Sequence, residues 1–71
     1  MTFEPIGRDV LESQDGRYRV WVDSRPAGTT YWGAGRVTKE PGRTARLTRI
    51  LGRQFTSKAD AIERCGKDAN A

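Results

Sequence analysis

Arg17-Tyr18-Arg19-Val20-Trp21-Val22-Asp23 decides the fold. Tyr18, Val20 and Val22 fall on one side of an extended chain, and Arg17, Arg19, Trp21 and Asp23 on the other. Period-two alternation of β-branched and aromatic residues is the pattern of a half-buried strand. On its N-terminal side lies Gln14-Asp15-Gly16, and Asp-Gly between two extended runs reads as a two-residue hairpin whose turn positions take positive φ. A short strand is therefore expected around residues 9–13. Phe3, Ile6, Val10 and Leu11 are apolar, but Pro5 and Gly7 interrupt any long element, so residues 1–15 read as a short strand or an arm.

On the C-terminal side, residues 24–30 form a loop of turn-forming residues. Residues 31–39 read as the next strand, with Tyr31, Gly33, Gly35 and Val37 alternating with Trp32, Ala34, Arg36 and Thr38. Glycines inside a strand mark a bulge, strong coiling or a close approach by other groups. Glu40-Pro41-Gly42-Arg43 is a tight turn, because proline presets φ and glycine accepts positive φ after it. A further strand is expected over 44–51. Ser57-Lys58-Ala59-Asp60 then opens a helix, with Ser57 as cap and Asp60 in place of the usual Glu of a capping box. Ala59, Ile62, Cys65 and Ala69 make its apolar stripe, and Gly66 either ends it or lets it run on to about Ala69.

The expected architecture is α+β: one domain over 1–71, a three- to four-stranded antiparallel sheet, and one C-terminal helix packed on one face. Tyr18, Val20 and Val22 face the helix. Arg19, Trp21 and some of Trp32, Arg36 and Arg46 share the open face.

Composition narrows the chemistry. The chain has 71 residues, no histidine and one cysteine. A His/Cys zinc site and any Ser-His or Cys-His nucleophilic pair are excluded by residue type. No metal, no cofactor and no catalytic residue is expected, and the chain reads as a non-enzymatic protein. Gly33-Ala34-Gly35 lacks the third glycine and following helix of a dinucleotide fingerprint. Cys65, on the helix stripe, reads as a buried packing thiol, and a single cysteine makes no internal disulfide, which points to a reducing cytoplasm. No run approaches the roughly 20 apolar residues of a membrane span.

The functional signal is charge. Residues 17–58 carry ten basic residues against Asp23 and Glu40, while residues 1–16 hold Arg8 against four acids; the net charge is +4. Such asymmetry suits a polyanionic or acidic partner. Arg17, Arg19, Arg36, Arg46 and Arg49, with Trp21 or Trp32 to stack on bases, make a candidate polyanion-binding sheet face for nucleic acid. The alternative is a protein-interaction or self-associating module that uses the same tryptophans and an unpaired strand edge, with an acidic protein among its partners.

Phe55-Thr56-Ser57-Lys58-Ala59-Asp60-Ala61-Ile62, after strands with Tyr-x-Val-x-Val and Tyr-Trp-Gly, resembles small bacterial β-β-β-α domains of unknown function. In those, strands ending in an aromatic lead into a Thr/Ser-Lys-x-x-Ala helix. The resemblance covers about residues 17–69 and implies the fold but no activity. The layout is also similar to sheet-reading DNA-binding modules such as plant-type AP2 domains and integrase arm-binding domains, whose three-stranded sheet enters the major groove with the helix behind it.

Overall fold

The computed structural model describes residues 2–38, 41–42, 46–49 and 54–70, with the side chains of Thr48 and Arg49 outside that description. Five antiparallel strands form one sheet in chain order: β1 (Phe3–Gly7), β2 (Val10–Ser13), β3 (Tyr18–Ser24), β4 (Tyr31–Thr38) and β5 (Arg46–Arg49). One helix, α1 (Lys58–Ala69), follows and packs over β4 and β3. The α+β class and the C-terminal helix match the sequence reading, but the sheet has five strands rather than three or four.

The additional strand is β1. Pro5 and Gly7 are tolerated there because β1 is an edge strand, where proline's missing N–H breaks no interior ladder, and because the register with β2 shifts between Pro5 and Gly7. The hairpin between β2 and β3 also differs from the two-residue turn. Glu12 pairs with Arg19, and only Gly16, not Asp15, takes positive φ (73°). Side chains close this longer loop. Ser13 Oγ donates to Asp15 Oδ1 at 2.6 Å and accepts from the Tyr18 amide at 3.0 Å, and the Arg17 amide donates to Asp15 Oδ1 at 3.0 Å. Each contact satisfies a polar group at the turn, which explains how Ser13 is buried beside the core.

Tyr18, Val20, Ala34, Ala61 and Cys65 form the buried core, with Phe3, Trp32, Phe55, Ile62 and Ala69 packed around it. Tyr18 and Val20 thus face the helix, as their alternation predicts. On α1 the residue buried beside Cys65 is Ala61, one position round from the stripe predicted through Ala59, which is exposed. Ser57 caps the helix by accepting from the Asp60 amide at 3.1 Å, and the helix runs through Gly66 to Ala69. A single bridge, Trp32 with Phe55, has reciprocal amide bonds of 2.7 Å and seats the segment before the helix along β4. Gly42 has φ 77°, consistent with the Pro-Gly turn, while Glu40, Arg43, Thr44, Ala45, Ile50 and Leu51 of the expected turn and strand lie outside the described residues.

Gly33 explains one of the two strand glycines. It pairs with Trp21 across β3 and β4, and a Cβ placed on it would stand 2.5 Å from the indole Cε2. The indole occupies the space a side chain would take at Gly33, with its Nε1 donating to Asp23 Oδ1 at 3.1 Å. Replacing Gly33 with Ala should therefore force the indole off the sheet and cost about 1–3 kcal/mol, as overpacking does. Urea unfolding measures this, and a Gly33→Ala protein as stable as the parent would show that the ring is not seated there.

Candidate polyanion-binding surface

Register distributes the predicted site residues over different surfaces. Trp32 pairs with Val22 and Arg36 with Tyr18, so both belong to the helix side of the sheet. This corrects the expectation that they share the open face. Trp32 packs against the core. Arg46 pairs with Thr38, which alternates in step with Arg36, so it too falls on the helix side. Arg19 and Trp21 do occupy the open face, opposite Gly35 and Gly33. The Arg49 backbone pairs with Gly35, and its side chain lies outside the described residues. Arg17 precedes β3 at the hairpin end, where its carbonyl accepts from the Val37 amide at 2.7 Å.

The open face is mixed in charge. Glu4 and Glu12 stand opposite each other on β1 and β2. Arg19 Nε reaches Glu12 Oε2 at 2.7 Å, and Gln14 donates to Glu4 at 3.3 Å. Asp23 accepts from both Trp21 and Gln54. A DNA groove laid on this face would meet Glu4 and Glu12, so the layout differs in charge from a basic sheet that reads bases. At the end of the sheet where β3 finishes, Arg25 is paired with Asp9 at 3.0 Å.

Cations gather instead at the opposite end, along a rim where β3 starts, β4 finishes and β5 starts. Arg17 is exposed, with its guanidinium 5.8 Å from the centroid of the Tyr18 ring, within cation–π range. Arg36 lies on the next strand with its side chain 59% exposed, and Arg46 on the strand after that is exposed. Arg17 and Arg46 make no ion pair with any described residue. Arg17, Tyr18, Arg36, Thr38 and Asp68 line an open recess of about 340 Å³ at this rim.

Asp68, in the last turn of α1, anchors the recess. Its side chain is only 8% exposed. Arg36 donates from Nε at 2.6 Å and from Nη2 at 2.5 Å, and the Tyr18 hydroxyl donates at 2.8 Å to the oxygen that Nε contacts. Such bidentate, charge-assisted bonding is the strong form of the Arg–carboxylate pair. Arg36 first and Tyr18 second hold the Asp68 carboxyl down at about 2. Burial, reinforced by Asp68, raises the Tyr18 phenol. None of this junction is visible as a motif, because Asp68 is 32 residues from Arg36 and 50 from Tyr18.

Among the described residues no three Cys, Asp or Glu side chains converge to hold a metal. Cys65 is fully buried, and burial pushes its thiol up to about 11, so it stays protonated and unreactive at neutral pH. No described helix is long and apolar enough to cross a membrane. Comparison with protein-family models, with curated proteins and with solved structures finds no match to this chain.

The Asp68 junction sets an acid limit on stability. Unfolded, the carboxyl titrates near its ordinary value of 3.8; folded, near 2. Because the folded value is depressed, the stabilisation is fully present above pH 3.8 and is lost as pH falls through 2. It amounts to about 2 kcal/mol at most. Urea unfolding of the parent and Asp68→Asn between pH 2 and 6 should show a gap that is widest near pH 6 and closes on acidification. A gap independent of pH would contradict this origin.

Proposed function

We propose that this protein is a small, non-enzymatic binding domain that grips a polyanion, nucleic acid in the first instance, through the arginine rim rather than through the open sheet face. The observation that carries this reading is the row of Arg17 just before β3, Arg36 on β4 and Arg46 on β5, the outer two exposed and in no ion pair with a described residue. Adjacent strands lie about 4.8 Å apart, so the row spans roughly 10 Å and suits two or three neighbouring phosphates. Arginine's planar fork matches phosphate oxygens.

Neither tryptophan adjoins the rim. Trp21 rests on Gly33 and Trp32 against the core, both toward the opposite end of the strands. Contacts of this kind position a backbone without reading bases, so the binding is indifferent to sequence. The self-association reading has one specific observation in its favour: Ile6 (51% exposed) and Leu47 (46%) lie on the two edge strands. Pro5 with its shifted register blunts the β1 edge, and the exposed Arg46 charges the β5 edge, which are devices that keep edges from pairing.

Fluorescence titration with mixed-sequence duplex DNA, single-stranded DNA and RNA tests the reading. At about 50 mM salt, binding in the micromolar range is expected, and for duplex the log–log salt slope should be about −2 to −3. Arg17→Ala and Arg46→Ala should each make that slope shallower by about 1. Arg8→Ala, exposed in the turn at the far end of the sheet, should leave it unchanged. No binding at the lower salt, or slopes indifferent to Arg17 and Arg46, would overturn the proposal. Concentration-dependent sedimentation without nucleic-acid binding would favour self-association.

A further inference from the structure

We infer that Asp68 is a built-in competitor at the rim, a carboxylate resting in the Arg36 fork that a phosphate group must displace to be gripped fully. The inference rests on the polyanion reading of the rim and adds a regulating contact to it.

Arg36 lies on the central strand of the rim, between Arg17 and Arg46. Two of its N–H donors, one on Nε and one on Nη2, point at Asp68 rather than outward. Those side-on donors are the pair that binds a phosphate bidentately. With Asp68 in place, the positive charge of Arg36 is largely cancelled at short range, although the side chain is more than half exposed. Arg17 and Thr38, on the same recess, stand ready to contact the same anion.

Asp68 is also badly placed for its own helix. It sits in the last turn of α1, where the partial negative charge of the helix C-terminus disfavours a carboxylate. Arg36 and the Tyr18 hydroxyl hold it there against that field. A phosphate that takes over Arg36 removes the larger of the two holds, and only the final turn, closed by Asn70 Nδ2 donating to the Gly66 carbonyl at 3.0 Å, needs to loosen. The fork therefore has two alternative anionic occupants, and the Tyr18 hydroxyl biases the choice toward Asp68.

That bias can be tested without changing net charge. Tyr18→Phe keeps the buried ring and removes only the hydroxyl bond to Asp68. Loss of one such bond should tighten nucleic-acid binding by about three- to tenfold. Asp68→Asn should tighten it further and steepen the salt slope on single-stranded DNA by about 0.7, the increment of one added phosphate contact. Glu63→Gln is the control for added charge. Glu63 sits on the same helix, its side chain 64% exposed, and among the described residues it pairs with Lys67, so its loss should leave the slope unchanged.

All titrations are run below each variant's melting temperature, and Tyr18→Phe decides the question if Asp68→Asn does not fold. Parent protein that binds through Arg17 and Arg46, while Tyr18→Phe binds no tighter and Asp68→Asn no differently from Glu63→Gln, overturns the competitor and leaves the rim reading standing. Absence of binding by the parent and all three variants at about 50 mM salt overturns the rim reading itself.

Discussion

The three-way contact of Tyr18, Arg36 and Asp68 is the constraint on which the rest of the structure leans. An isolated helix of 12 residues is marginal in water. Its buried contribution to the core is Ala61 and Cys65, neither of them large. The helix needs a directional anchor, and the anchor lies at its C-terminal turn, where Asp68 is fastened to β3 and β4 at once. At its other end the Ser57 cap and the Trp32–Phe55 bridge fix the approach. Between these two fastenings the helix covers only the centre of the sheet. The outer strands depend on pairing, on the Ser13–Asp15 turn and on half-buried side chains such as Phe3.

The parts of the fold legible in the sequence are those in which one residue type has one physical use. Tyr18, Val20 and Val22 alternate with polar residues, and no other element suits that pattern. Ser57 three residues before Asp60 has a cap geometry that the chain adopts. The parts that were not legible are those set by neighbours. Pro5 reads as a breaker until β1 is known to be an edge. Trp32 and Arg36 read as open-face residues because arginine usually seeks solvent, yet β4 turns that side toward the helix, and Arg36 is accommodated there by an acid far along the chain. The bulge between Val22 and Ser24 adds to the difficulty, since a shift of one residue exchanges the faces.

The same distinction governs the candidate site. The excess of arginine over residues 17–58 is real in sequence but not evenly usable in space. Arg19 is engaged by Glu12 and Arg25 by Asp9. Of the residues singled out for polyanion binding, Arg17, Arg36 and Arg46 come together, and they do so at a rim rather than on a face. Charge clustering along a chain marks which segment carries the cations. Register and long-range acids decide which of those cations remain available.

That selection also limits what the rim can recognise. A sheet face that stacks bases needs flat rings standing among its cations, and here one tryptophan is pressed onto glycine while the other is packed on the core. The aromatic ring at the rim, Tyr18, is buried, offers its face to Arg17 and commits its hydroxyl to Asp68. Tyr18 thus serves the electrostatics of the rim: it steadies one arginine and helps hold the acid that masks another. On the proposed reading, a surface built this way would respond to the density of negative charge presented to it more than to the identity of the groups that carry the charge. The Arg36 fork holds the Asp68 carboxylate in this structure, and under the proposed function an external anion would have to outcompete it.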